Sequence, residues 1–464
     1  MRVPQAEGRG LSEQAMAFPF ALHWIDFCYY EKPREFNHMK VSIVGLGKLG
    51  LPMAVAIAER GIQVYGVERD PKRVRQLERG QSPIDEPGIK PKLKSLIRNR
   101  RLILSSYSEA ISKTEAAFIA VNTPEQSLGE MDTRDLETCV AEIGRELRHH
   151  SKFYILTVAS TIVPETIDGK IRPLLEKTSG RKVGKSIGLC ANPVFIALSS
   201  VIRDYLNPPV VVLGTTDPRT SKWMSKFYKQ VCENKPPILT TTPLTAEVIK
   251  LTHNAYCTSK MAFINETADL CSQSPGADIR KVEEFFRVGG ERTGRFLKAG
   301  LGFGGPCFPR DLRFFVKYME KKGLKSPLLR AINVSNEEHA HQLIKQIRSQ
   351  LGSLKGKKVA LLGLSYKPGV RNFEDSFSFR LIQKLEAEKA RVFVYDPLLV
   401  PHSPGNGFFY PVFDHRKLVV KKSPRAALKG ADLCILAHPL ESFNLKQKDL
   451  SGMARPLVFN PWEG

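Results

Sequence analysis

Apolar residues in this chain follow two patterns, and the way these alternate predicts an α/β protein. Met39 to Val44 (MKVSIV) is a short, mostly apolar run of β-formers, and Gln63 to Glu68 (QVYGVE) is a second. Between them LPMAVAIAERG repeats its apolar positions at helical spacing. Toward the other end KKVALLGL (357–364), RVFVYDP (391–397) and ADLCILAHP (431–439) read as buried strands, and SFRLIQKLEAEKA is an amphipathic helix between the first two. The middle, about Leu244 to Gln350, is helical. There TAEVIKLTHNAYCTSKMAFINETADLC repeats apolar residues every three or four positions over 27 residues. Two doubly wound parallel sheets flanking a helical segment built on one long helix are therefore expected.

The first strand runs into a turn, GLGKLG, with glycines at 45, 47 and 50. The first glycine allows the tight bend, the second lets backbone amides approach a pyrophosphate, and the third lets the helix pack closely on the strand. The helix N-terminus then offers unpaired N–H groups to the phosphates. The second strand ends in Glu68, eighteen residues beyond Gly50, where an acid can accept from both ribose hydroxyls and would repel the extra phosphate of NADP. NAD is the expected cofactor, held by Gly45, Gly47, Lys48, Leu49, Gly50, Glu68 and Arg73. Both flanking sheets are then Rossmann-like.

At 464 residues the chain exceeds what one core usually serves. The expected divisions are an NAD-binding domain at 39–240, a central helical domain at 241–350, and a second Rossmann-like domain at 351–464. Residues 1–38 lack a signal-peptide pattern, and Met39 opens the first strand directly. They are expected to be an extension, disordered or arising from a misassigned start. No stretch approaches about 20 uninterrupted apolar residues, so no membrane span is expected. The net charge of +23 would suit nucleic acid, but Lys and Arg are spread along the whole length without a nucleic-acid motif. A basic surface attracting anionic substrates, or simply a solvated one, is expected instead. The eight cysteines form no metal-type pairs, so no metal is expected. Cys28, Cys139, Cys190, Cys232, Cys257, Cys271 and Cys434 read as buried or neutral thiols of a reducing cytoplasm.

The remaining cysteine, Cys307, lies in GFGGPCFPRD (302–311). It is preceded by GLGKLGLP, SPIDEPG, VNTP, Ser160-Thr161-x-x-Pro164, NPxF, DYLNP and AEVIKLTHNAYCTSKMAFINE, and followed by GLSYKP and VYDP. In order and spacing these strings resemble the UDP-glucose/GDP-mannose dehydrogenase family, from Met39 to the C-terminus. The resemblance implies that two NAD molecules successively oxidise a sugar's primary alcohol to a carboxylate, with the aldehyde stage held on a cysteine. Cys307 matches that nucleophile, and its thiol pKa, ordinarily about 8.5, is expected to be lowered by nearby cations or loop dipoles. Lys250 matches the lysine that stabilises the oxyanion, with Asn254 one turn later on the same face. Asp311 matches the acid beside the cysteine loop, and Thr161 a threonine that positions water and borders the cofactor. The resemblance also assigns Thr123 and Arg310 to the cofactor, and Arg292, Phe296, Leu297, Gly304 and Lys367 to the substrate. It leaves Lys260 and Glu266 structural, makes 351–464 the UDP-sugar-binding domain, and makes 241–350 the dimerisation domain, implying a homodimer or higher oligomer through the central helix.

Two departures stand out. The family string NPEFLxEG reads here as Asn192 to Ser199 with both glutamates gone, the first replaced by Val194. General acid–base groups typically contribute ~10²–10⁴-fold, so a slow or incomplete second half-reaction is expected. The string KPxTDDxRxS reads as Lys367 to Ser376, with Glu374 in place of the arginine and Arg371 three positions earlier. Two readings stand on the sequence. The first is a working NAD-dependent nucleotide-sugar 6-dehydrogenase. The second is a degenerate NAD-binding relative with a regulatory or structural role, with a dehydrogenase arrested at the aldehyde lying between the two.

Overall fold

The computed structural model describes residues 39–127, 129–288, 296–399, 418–443, 445 and 447–462. The expectations for residues 1–38, Cys28 and Arg292 lie outside the described residues. In chain order the strands are β1 (Lys40–Val44), β2 (Gln63–Val67), β3 (Leu102–Leu104), β4 (Ala116–Ile119), β5 (Glu125–Ser127), β6 (Glu130–Met131), β7 (Tyr154–Val158), β8 (Ile187–Ala191), β9 (Val211–Thr215) and β10 (Ile238–Thr241). They are followed by β11 (Lys358–Leu362), β12 (Arg391–Tyr395), β13 (Val419–Val420), β14 (Leu433–Leu436) and β15 (Val458–Phe459).

The first sheet has the order β10-β9-β8-β7-β4-β1-β2-β3. Six strands, β3 to β8 in that order, run parallel, which is the doubly wound arrangement with its reversal between β1 and β4. β9 pairs antiparallel with β8, and β10 continues parallel to β9, so this edge of the sheet runs backward. The interior strands are buried on both faces, which is why they read as continuous apolar runs. The helix Gly50–Glu59 is buried from Gly50 to Ala58, and its run of Ala, Val and Ile suits an element enclosed all round.

The second sheet, β13-β12-β11-β14-β15, is wholly parallel, with its reversal between β11 and β14. The two sheets share a local device. In the first, Glu68 after β2 accepts the Leu46 N–H of the turn after β1, at 3.1 Å. In the second, Asp396 after β12 accepts the Leu364 and Ser365 N–H groups after β11, at 2.7 and 2.8 Å. The same second-strand acid thus ties down the turn of the first strand in both halves.

Between the sheets runs a 30-residue helix, Pro243–Ser272. Proline at its first position and the Thr242 side chain, which accepts the Thr245 N–H, start it directly after β10. It packs against two further helices, Phe308–Lys321 and Pro327–Leu351. Among the described residues no helix is long and apolar enough to cross a membrane.

Candidate active site

The turn after β1 fits a dinucleotide, and each glycine shows why. Gly45 has φ +90°, and a Cβ there would lie 2.8 Å from Val121 Cγ1 and 2.9 Å from the Ala120 carbonyl oxygen. A Cβ on Gly50 would sit 1.8 Å from the Gly45 oxygen, so helix and turn close only without one. Gly47 differs, because a Cβ there would meet nothing within 4 Å. Packing does not demand that glycine; the space in front of it is open to a ligand, as a pyrophosphate approaching the backbone requires. Lys48 is exposed and Leu49 half-buried at the helix start. Glu68 takes N–H groups from Leu46 and Asp70 and lies 3.9 Å from Arg73, and its remaining lone pairs can serve ribose hydroxyls. At the ends of β4 and β7 the Thr123 hydroxyl donates to the Thr161 carbonyl at 2.7 Å, and Ser160 bridges to the backbone of Val121. Thr123 and Thr161 therefore meet beside the reversal point of the sheet, where ligands of such sheets bind.

Cys307 is the residue immediately before the helix Phe308–Lys321. As a residue it is exposed, although protein crowds its sulfur, unlike the buried Cys139, Cys190, Cys232, Cys257 and Cys434 and the half-buried Cys271. Asp311, one turn into the helix and fully buried, is the hub beside it. It accepts from Asn254 Nδ2 at 2.6 Å and from Arg310 Nε and Nη2 at 3.0 and 2.8 Å. The long helix and the cysteine helix are thereby locked together, with Lys250 one turn before Asn254. Lys250 donates to the Val194 carbonyl at 2.9 Å and lies 5.2 Å from the Phe195 ring. The position that lost its glutamate thus still holds the lysine through its backbone.

The electrostatics correct one expectation. The Cys307 thiol is pushed up, not down. Crowding by protein is the main cause; Arg310 and Lys250 pull it down, while Asp311 and Glu374 oppose them. Burial lowers Lys250, with Asp311 and Cys307 holding its charge. The two titrations therefore move toward each other: the lysine is a weaker base than in water and the thiol a weaker acid, so the thiolate–ammonium pair is less favoured, while more of the lysine is neutral at a given pH and free to take a proton.

The cysteine loop owes its glycines to the second nucleotide-binding-like sheet. A Cβ on Gly302 would overlap Phe377, one on Gly304 would sit 2.5 Å from the Asp375 carbonyl oxygen, and one on Gly305 would strike the Tyr366 ring at 2.4 Å. Gly304 is thus explained by backbone packing. Leu297 is 7% exposed and packed with Ile264, Ile279 and Ala299, so its side chain is spent in the core rather than offered to a substrate. Phe296 stacks edge-on against Phe308 and has φ +72°. Lys367 is half-buried, and its charge acts on Glu86, so it lies within electrostatic reach of the NAD-binding half.

Several site-building residues escape the motif reading. Tyr228 donates its hydroxyl to Asn192, whose amide in turn donates to the Val212 carbonyl, fixing the strand end that carries Val194. Glu247, three positions before Lys250, accepts the Glu165 and Ile167 N–H groups at 2.8 Å each and so ties the segment after Thr161 to the long helix. Burial pushes its carboxyl up to about 7. Its helical spacing from Lys250 is the signal that could have found it.

A glycine-turn nucleotide site in the first sheet, together with an exposed cysteine at a helix head that has a lysine and an Asp–Asn–Arg cluster within electrostatic reach, fits an NAD-binding oxidoreductase with a candidate covalent centre. The chain belongs to the UDP-glucose/GDP-mannose dehydrogenase family: its NAD binding domain matches residues 39–232, its central domain 244–338 and its UDP binding domain 360–462. It is 30% identical over 424 residues to the UDP-glucose 6-dehydrogenase AglM of Haloferax volcanii, spanning 91% of this chain and 96% of that one. It is 29% identical to the GDP-mannose 6-dehydrogenase of Pseudomonas putida, over 87% and 92% of the two chains. The solved UDP-glucose dehydrogenase of Pyrobaculum islandicum superposes with a TM-score of 0.81 at 27% identity, covering 94% of this chain and all of that one. The cofactor is NAD, and the activity is that of an NAD-dependent nucleotide-sugar dehydrogenase.

Proposed function

We propose that the chain oxidises the primary alcohol of a UDP-glucose-like nucleotide sugar to the carboxylate, through an aldehyde and then a thioester carried on Cys307. The observation that carries this reading is an exposed cysteine at the head of a helix, with Lys250 and Arg310 close enough to act on its charge. NAD, when bound at the Gly45–Gly50 turn, supplies a hydride acceptor for each of the two oxidations. Cys307 captures the aldehyde carbon, with its proton passing to Lys250. Lys250 and Asn254 then face the oxygen of the resulting hemithioacetal, and Asp311 keeps Asn254 and Arg310 in register. Water adds to the thioester, with Thr161 positioning it, and releases the acid and the thiol. With Val194 in place of a carboxylate, this last step lacks a side-chain base and is the slow one. Retention of Cys307, Lys250, Asn254 and Asp311 as one connected cluster disfavours a purely structural role.

Conversion of an alcohol to an acid removes two hydrides and consumes one water. With UDP- and GDP-sugars in turn as the limiting reagent, two NADH per sugar is the expected yield. One NADH would mean arrest at the aldehyde, and none with intact NAD binding would contradict the proposal.

The long helix also leaves Tyr256, Phe263 and Leu270 exposed at seven-residue spacing, with Phe285 and Val288 exposed on the following helix Ile279–Val288. We propose that a second copy of the chain covers this stripe. Sedimentation should give twice the 52.0 kDa chain mass for the wild type and the single mass for Leu270→Asp. A wild-type monomer would remove the proposal. A reducing cytoplasm is the compartment we propose, consistent with the described cysteines, none of which is disulfide-bonded.

A further inference from the structure

The loop that delivers Cys307 is gripped upstream by buried polar side chains from two helices that carry no residue of the proposed chemistry at those positions. Asn336 grips Phe303 from both sides: its Oδ1 accepts the Phe303 N–H at 2.9 Å and its Nδ2 donates to the Phe303 carbonyl at 3.1 Å. Asn265 does the same across a peptide, accepting the Gly300 N–H at 3.2 Å and donating to the Leu301 carbonyl at 3.4 Å. His339 completes the set. Its Nε2 donates to the Gly300 carbonyl at 2.8 Å, and its Nδ1 lies 3.0 Å from Asp269 Oδ2. The ring is 4% exposed.

Both partners of that ring are acceptors. Each ring nitrogen therefore has its own partner, one on the long helix and one on the loop. Asp269 is itself held from its other oxygen by Gln346 Nε2 at 3.3 Å. On the opposite side of the loop the Trp462 ring lies against Gly300, where a Cβ would come within 2.2 Å of it, and Trp462 donates to the Leu436 carbonyl at 3.1 Å. Gly300 is therefore pinned between the Asp269–His339 bridge from the central helices and an indole from the C-terminal segment. Seven residues later the chain reaches Cys307, and a nucleophile displaced by about 1 Å can lose on the order of 10²-fold in rate.

We propose that His339, bridging Asp269 and the Gly300 carbonyl, is a positioning residue that sets the reach of Cys307. This rests on the assignment of Cys307 as the nucleophile. His339 touches no reacting atom; it acts through the backbone of the loop.

The test uses the full-length chain, NAD and the nucleotide sugar that gives the highest turnover. His339→Ala is expected to lower kcat about tenfold or more while leaving the KM for NAD unchanged, because the Gly45–Gly50 turn lies in another domain. The rate of Cys307 alkylation by iodoacetamide, measured without substrate by peptide mapping, is expected to change alongside kcat. The double variant His339→Gln with Asp269→Asn rebuilds the bridge from neutral amides: the glutamine can donate to the Gly300 carbonyl while its own carbonyl accepts from the asparagine. It should recover most of the lost kcat and the wild-type alkylation rate, and it carries the test if His339→Ala does not fold. Wild-type kcat and alkylation in His339→Ala would overturn the proposal, as would a folded double variant no faster than His339→Ala, or, where His339→Ala does not fold, one with less than about a tenth of wild-type kcat. Full activity in Cys307→Ser would instead overturn the nucleophile assignment, so the two failures are separable.

Discussion

Replacement of Cys307 by serine is expected to lower carboxylate formation by on the order of 10³-fold or more, with NADH release halting at the aldehyde stage. The serine oxygen keeps the place of the sulfur at the helix head, so the fold and the NAD site should be untouched. What it loses is acidity. Lys250, already lowered by burial, is matched to a thiol and is far too weak a base to ionise a hydroxyl. Product analysis by chromatography together with NADH absorbance checks this. Full carboxylate yield from the serine variant would mean that the aldehyde is oxidised without a covalent intermediate.

Replacement of Asp311 by alanine is expected to have the second largest effect. Asp311 is fully buried and accepts three hydrogen bonds, two of them from an arginine whose side chain is only 19% exposed. Removing it leaves a mostly buried guanidinium and the Asn254 amide without their acceptor, which typically costs about 3–5 kcal/mol. Asn254 should also rotate away from the Lys250 side of the helix, and kcat should fall on the order of 10²-fold in whatever protein stays folded. Chemical denaturation measures the first and steady-state kinetics the second. A loss below about 1 kcal/mol would show that the cluster does not hold the two helices together.

Five strands, β1, β2, β11, β12 and β14, were legible as short apolar runs, whereas β4, β7, β8 and β9 are as apolar and almost wholly buried and were not read, having no glycine turn or terminal acid beside them to mark them. The sequence could not show that β9 turns back against β8, since a strand's direction leaves no trace in its periodicity. The glycine motifs were read for chemistry, and at Gly47 the open space supports that reading. At Gly302, Gly304 and Gly305 the deciding neighbours are Phe377, Asp375 and Tyr366, tens of residues away in the chain, and no local spacing announces them. Likewise the expected lowering of the thiol came from counting cations. Crowding around the sulfur, and after it the charges of Asp311 and Glu374, reverse it. Val194 was legible as a lost carboxylate but not as the carbonyl that anchors Lys250. Side-chain identity is written in sequence; the backbone's use of a position is not.

The most direct test of the account is to find the sugar on the sulfur. Turnover with NAD and the preferred nucleotide sugar is quenched in acid, the protein is digested, and the peptide containing Cys307 is weighed by mass spectrometry. Because the step that frees the acid lacks a side-chain base at Val194, the predicted result is a peptide heavier by the nucleotide-sugar acyl group, with the modification on Cys307 and absent when NAD is omitted. An unmodified Cys307 peptide throughout a reaction that still yields the carboxylate would contradict it.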